Sequence, residues 1–335
     1  MNEPRRILIS LNPKAGRRPA AQRAEKLRAE LVSRGFAVDL LTDLDEVEQR
    51  AKYLFRAGPL RALVGVGGDG TAAELVRRTD PGTPVTLLPA GTANLIAREF
   101  RLPFSPAKSA QMIETGTPLS LDAAEANGKL FLIMFTAGID AEIVAQVHRK
   151  REEAFRGTKG RCGHIGYRSY LRPVFQSVCR YSYPAIRVIA GEENAGSAAR
   201  PVRWAFLFNI PRYGFGAAPC LGSDPRDGRL DYCGFRRGGL FPSLFGILAA
   251  FLGKSHRFLP GCVFGKSVRF QFTPHEPGTP VPYQTDGDPA GLLPAEIQVL
   301  PRRFTLLVEK QEAARRAAAI VDSNNWTVES QKIEG

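Results

Sequence analysis

Leu63-Val-Gly-Val-Gly-Gly-Asp-Gly-Thr-Ala-Ala-Glu-Leu-Val76 is the stretch on which the fold turns. A buried apolar run ends in glycines, an acid and a threonine, and a helical pattern begins at once. Strand, glycine turn and helix N-terminus together present backbone N–H groups and a positive dipole end, the arrangement that receives phosphate. Read literally, Gly65-Val-Gly67-Gly68-Asp69-Gly70 satisfies G-x-G-x-x-G, the dinucleotide fingerprint. That fingerprint also needs an acid about 20 residues on, closing the next strand, to hold a ribose. Here the next strand runs into Leu88-Pro-Ala-Gly-Thr-Ala-Asn94, which carries no acid, and the glycine turn follows the third strand, not the first. Hydride chemistry is excluded on both counts.

Outward from this stretch, strands and helices alternate. Ile7–Leu11 reads as a strand, and Ala20, Ala24, Leu27 and Leu31 mark one face of a helix that stops at Gly35. Val38–Leu41 is a second strand. Asp43 with Glu46 reads as a capping box opening a helix that buries Val47, Ala51 and Leu54 and ends at Gly58. Ala62–Val66 and Val85–Leu88 are the third and fourth strands. Apolar strands separated by single helices predict a doubly wound parallel sheet.

The rhythm changes after Gly116. Leu119–Glu125 and Lys129–Thr136 flank Asn127-Gly128, a hairpin signal. Helical patterns follow over 140–156 and 163–180. Short strands then dominate, at 184–190, 202–209, 229–235, 263–273, 295–300 and 303–309, interrupted by an apolar helix at 240–253. The expected architecture is an α/β domain over 1–125 and a β-rich, sandwich-like domain over 126–310. A tail follows at 311–335, beginning as a short helix.

At 335 residues, 44% hydrophobic and 24% charged, the composition is that of an ordinary globular protein of about two domains. The net charge of +13 suggests polyanionic partners, whether nucleotides, nucleic acid or an anionic membrane, although a diffusely basic surface fits equally well. Five cysteines without C-x-x-C spacing argue against a disulfide framework or zinc site, so a reducing, cytoplasmic setting is expected. Ile7–Leu11 is too short for a signal-peptide core. The 240–253 segment is too short to span a membrane and contains Pro242.

Gly261-Cys-Val-Phe-Gly-Lys-Ser267 resembles a Walker A loop but is one residue short and leads into a strand, so it reads as a turn. A second glycine turn, Pro89-Ala-Gly91-Thr92-Ala-Asn94, follows the fourth strand, and Asn12-Pro-Lys-Ala-Gly16 closes the first. Any one of them is unremarkable. Three at the carboxyl edge of one parallel sheet define a ligand site.

These motifs, with Thr136-Ala-Gly-Ile-Asp-Ala141, Asp224-Pro-Arg-Asp-Gly-Arg-Leu-Asp231 and Asp286-Gly-Asp288 in order behind them, resemble the diacylglycerol kinase catalytic-domain family, which includes soluble bacterial lipid kinases and the sphingosine and ceramide kinases. Gly-Gly-Asp-Gly-Thr alone is shared with NAD kinases, and a soluble NAD kinase or a catalytically silent binding protein are the alternatives. The resemblance implies an ATP- and Mg2+-dependent phosphotransferase with its nucleotide in a cleft between the domains. Asn12, Thr42, Gly67, Gly68, Asp69, Gly70, Thr71, Ala72, Ala73, Gly91, Thr92 and Asn94 would line the ATP site. Asp69 would serve the phosphates and catalytic Mg2+, and Asp140 would be a further acid. Asp224, Asp227 and Arg229 would hold a structural Mg2+ through the Asp227 carboxylate and the carbonyls of the other two. Asp288 stands where the family usually has the Glu that accepts the lipid hydroxyl proton. Asn94-Leu95 likewise replaces the commoner Asn-Asp. The implied partner is a lipid at an anionic membrane surface, approached peripherally by 240–253 or by the basic run His148-Arg-Lys-Arg151 with Arg156, Lys159 and Arg161. Nucleic acid is not expected, and a homodimer is left open.

Overall fold

The computed structural model describes residues 5–11, 18–157, 180–191, 201–213, 222–239 and 261–318. The chain divides into two units, one made of Met1–Leu121 with Arg303–Gly335 and the other of Asp122–Arg302.

In the first unit, strands β1 (Arg6–Leu11), β2 (Ala37–Leu41), β3 (Leu60–Gly67) and β4 (Pro84–Pro89) lie in the order β2-β1-β3-β4, all parallel. The helices are α1 (Arg18–Ser33), α2 (Leu44–Ala57), α3 (Asp69–Arg78), α4 (Leu95–Glu99) and α5 (Pro106–Thr115). Ala24, Leu27 and Leu31 of α1 and Val47, Ala51 and Leu54 of α2 are buried as their spacing predicts. The Asp43 carboxylate caps α2 by accepting from the N–H groups of Asp45 and Glu46, and Gly58 ends it in the left-handed conformation. The parallel sheet brings the ends of all four strands to one edge.

α5 went unread because it is short, although Ser105-Pro106 places a cap residue and an N1 proline at its start. The C-terminal tail is also more than a tail. β15 (Ala295–Val308) pairs with β4 in parallel through Thr305 and Leu306, and a helix follows over 310–318. The first unit therefore takes in the chain from Arg303 onward, beside the expected boundaries at 125 and 310.

The second unit contains β5 from Asp122 (Thr117–Ala126), β6 (Lys129–Phe131), β7 (Met134–Ala137), α6 (Ile139–Gly157), β8 (Ile186–Ala190), β9 (Trp204–Phe208), β10 (Leu230–Phe235), β11 (Cys262–Ser267), β12 (Arg269–Pro274), β13 (Pro282–Thr285), β14 (Asp288–Leu292) and the start of β15. One antiparallel sheet has the order β11-β10-β9-β7-β13-β14. Facing it, β8, β12 and β15 pair antiparallel, and β5 pairs with β6. Phe131, Phe135, Tyr232, Phe270, Phe272 and Tyr283 fill the layer between, with Phe135 5.0 Å from Phe272 and 5.4 Å from Tyr283 between ring centroids. This is the expected β-rich sandwich.

Three strand readings need correction. The Asn127-Gly128 turn forms with both residues at positive φ, yet its second arm breaks after Phe131 and resumes in the opposite sheet as β7. The break has a cause: the Asp286 carboxylate accepts from the N–H groups of Leu132, Ile133 and Met134 at 2.8, 2.9 and 3.0 Å, diverting them from the ladder. The single run 263–273 is two strands in two sheets. Conversely, 295–300 and 303–309 are one strand. The helical patterns at 163–180 and 240–253 lie outside the described residues, apart from Arg180. Among those described, no helix is long and apolar enough to cross a membrane.

Candidate active site: two glycine turns and a carboxylate turn

The question raised by the glycines of 65–70 has a different answer at each position. A Cβ on Gly67 would overlap Thr71 Oγ1. One on Gly68 would lie 3.1 Å from Gly91 Cα, and one on Gly91 would lie 2.7 Å from Gly68 Cα. The two turns thus pack backbone to backbone, and Ala90 N–H donates to Gly67 O at 2.8 Å. Gly70 is different. It lies in the first turn of α3, is exposed, has no left-handed φ, and a Cβ there would meet no atom of the described residues within 4 Å.

Asp69 joins the turns. Its two carboxylate oxygens accept from Leu95 N–H and Ile96 N–H, each at 2.9 Å, and so cap α4. Burial pushes its carboxyl above the ordinary range, while these N–H groups pull the other way. With each oxygen engaged by one N–H, Asp69 holds the second turn against the first. Asn94, at φ 49, braces its own turn by accepting from Gly91 N–H at 2.9 Å and donating to Gly91 O at 2.8 Å. Thr42 and Thr92 are exposed at the same strand edge, Thr71 and Ala73 are half-buried, and Ala72 is buried in the core. Asn12-Pro-Lys-Ala-Gly16 lies outside the described residues.

In the second unit, Asp140 is not an open acid. It is buried at the start of α6, accepts from Thr136 Oγ1 at 2.6 Å and Gln284 Nε2 at 3.2 Å, and accepts from the Tyr213 hydroxyl. Burial raises its carboxyl, opposed by the three donors. Asp286 and Asp288 divide as two residues of a tight turn must. Asp286, at φ 52, faces inward onto the 132–134 backbone. Asp288 opens β14 with its side chain 58% exposed, and His148 Nε2 of α6 lies 3.4 Å from Asp288 Oδ1 and 3.2 Å from Gly287 O. The sequence reading placed His148 only in a basic run; nothing local links positions separated by 140 residues. Of that run, Arg149 pairs with Glu142 at 3.0 Å, and the side chains of Arg151 and Arg156, with Lys159 and Arg161, fall outside the described residues.

The expected structural Mg2+ site does not fit its residues. Both Asp224 oxygens are held by Arg226 at 2.7 Å, and the Asp224 carbonyl accepts from Asp227 N–H. The Asp227 carboxylate accepts from Arg229 N–H at 2.9 Å and Lys266 Nζ at 2.6 Å. Among the described residues no three His, Cys, Asp or Glu side chains are placed to hold a metal.

Residues 6–126 match the family described as the diacylglycerol kinase catalytic domain. A "Probable lipid kinase YegS-like" protein of Pseudomonas syringae pv. syringae (strain B728a) is 34% identical over 100 residues, 29% of this chain and 32% of that protein. The match to that relative thus spans about a third of its length. A protein of the same description from Enterobacter sp. (strain 638) is 26% identical over 263 residues, 75% of this chain and 80% of the relative. A crystal structure of a diacylglycerol kinase from Bacillus anthracis str. Sterne superposes with a TM-score of 0.64 at 20% identity, covering 93% of this chain and 99% of that one, and so shares the fold.

Proposed function

We infer an ATP-dependent lipid kinase that transfers the γ-phosphoryl group to a lipid hydroxyl, a reading supported by the match of residues 6–126 to the diacylglycerol kinase catalytic-domain family. The names of its relatives support the lipid acceptor. The observation that carries the nucleotide reading is Gly70. Its neighbours Gly67 and Gly68 are glycine because protein atoms crowd them, whereas among the described residues nothing crowds Gly70. Alanine would favour the helix there by up to about 1 kcal/mol. A glycine kept at that cost, at the N-terminus of a helix opening a glycine turn, leaves room for phosphate oxygens to approach the backbone.

Phosphoryl transfer asks the protein for positioning and charge stabilisation. The first-turn N–H groups of α3 face the phosphates, and Asp69 and Asn94 hold the second turn rigid beside them. Mg2+ entering with ATP would supply charge neutralisation to the transferring phosphates. Asp288 accepts the proton of the acceptor hydroxyl, with His148 alongside to orient its carboxylate.

Gly70→Ala is expected to melt at or above the wild-type temperature and to lose ATP binding by calorimetry. Gly68→Ala is expected to lower the melting temperature, since its methyl group must displace the Gly91 backbone. Undiminished ATP affinity in Gly70→Ala sinks the nucleotide assignment at this turn. The acceptor is tested by supplying labelled ATP with diacylglycerol, sphingosine, ceramide or NAD. Transfer to NAD and to none of the lipids overturns the lipid reading.

The net charge of +13 further supports peripheral contact with anionic lipid. Sedimentation with vesicles should increase with their anionic fraction and fall as salt shortens the screening length from about 30 Å at 0.01 M to about 3 Å at 1 M. Equal binding to neutral vesicles contradicts it.

A further inference from the structure

The turn over 224–231 gathers acidic residues, and their partners are side-chain cations and backbone N–H groups of this chain. Antiparallel pairing of β10 with β11 places Lys266 directly opposite Asp231. From there its Nζ reaches Asp227 Oδ2 at 2.6 Å and Asp231 Oδ2 at 3.3 Å. Arg226 takes both oxygens of Asp224 at 2.7 Å. Asp122, buried at the start of the unit, spends its oxygens on Gly228 N–H and Arg302 N–H, each at 2.8 Å.

We propose that Lys266 is the resident cation of this turn, occupying the charge position that a divalent ion would otherwise take, so that the turn is held without metal. Two observations converge on this. A hard divalent ion needs six or more oxygens, and of those expected to serve it the Asp224 carbonyl already accepts from Asp227 N–H and the two Asp227 carboxylate oxygens from Arg229 N–H and Lys266 Nζ. The ammonium position follows from strand register, with the Lys266–Asp231 pair set directly across the ladder.

The test is thermal melting of the full chain without nucleotide, in EDTA and in millimolar Mg2+ or Ca2+. Wild type is expected to melt within about 1 °C in all three, because a ligand stabilises only by binding the native state. Lys266→Ala leaves Asp227 and Asp231 without their shared cation. It is expected to lose about 4–8 °C in EDTA and to recover at least half of the loss in Mg2+ or Ca2+. Lys266→Arg keeps the charge and is expected to show no divalent response, which keeps the question open to measurement even if the alanine variant fails to fold. A rise of several degrees in wild type with either ion, or a divalent response in Lys266→Arg, overturns the proposal. So does a Lys266→Ala protein that melts like wild type in EDTA.

Discussion

Asp288→Asn is expected to lower kcat by about 10²–10⁴ with ATP affinity nearly unchanged, the loss expected of one general base. The substitution is isosteric and the side chain is 58% exposed, so the melting temperature should move by no more than a surface change allows, about 0.5 kcal/mol. Asp288→Glu should retain activity, since it keeps the carboxylate and extends it by one methylene. Asp286→Asn should behave in the opposite way. Its carboxylate accepts three backbone N–H groups; an amide offers one acceptor oxygen and turns a donor toward the rest. The left-handed φ of 52 is tolerable for asparagine, so the cost falls on the hydrogen bonds, about 2–3 kcal/mol. Single-turnover kinetics with matched melts separates the two. If Asp286→Asn loses the chemistry at unchanged stability while Asp288→Asn keeps it, the base is on the other carboxylate.

Arg316→Ala is expected to destabilise the first unit by about 3–5 kcal/mol, the effect of removing one partner from a buried ion pair. Arg316 is 9% exposed and donates to Glu312 Oε1 at 2.7 Å and Glu99 Oε1 at 2.8 Å. Its guanidinium also donates to the Glu99 carbonyl and lies 4.1 Å from the centroid of the Phe100 ring. Removing it takes one buried guanidinium from both Glu99 and Glu312 and frees the end of α4, the helix capped by Asp69. Arg315→Ala is the control. That side chain pairs with Glu312 but is 49% exposed, so its loss should cost less than about 1 kcal/mol. Denaturant unfolding of both variants measures the difference, and equal losses would mean that the 310–318 helix does not anchor α4.

The parallel-sheet unit was legible because its signals are local. Apolar runs of strand length, helical spacing at Ala24, Leu27 and Leu31, and the Asp43 and Gly58 caps each act within a few residues. A parallel sheet then delivers the strand ends to one edge without further information. The β-rich unit was legible as a class and not in its joins. Whether 129–136 is one strand or two depends on Asp286, about 150 residues away. Whether 263–273 serves one sheet or two depends on partners in β10 and β15.

The candidate site divides in the same way. From residue order alone came the two glycine turns and their place on the sheet edge, and from the family resemblance the carboxylate turn at 286–288. Only the tertiary structure assigned the carboxylates. By type, Asp69, Asp140, Asp227, Asp286 and Asp288 are alike; what separates them is what each accepts from. Asp69 holds the N-terminus of α4, Asp140 three buried donors, Asp227 a lysine across a strand ladder, and Asp286 the backbone at 132–134. Asp288 alone of the five is more than half exposed, beside a histidine. A carboxylate is a ligand, a brace or a base according to the donors that folding brings within about 3 Å of it, and those donors come mostly from distant parts of the chain. The physical reason is range: propensity and pattern act over a turn or a strand, whereas desolvation and hydrogen bonding act through space.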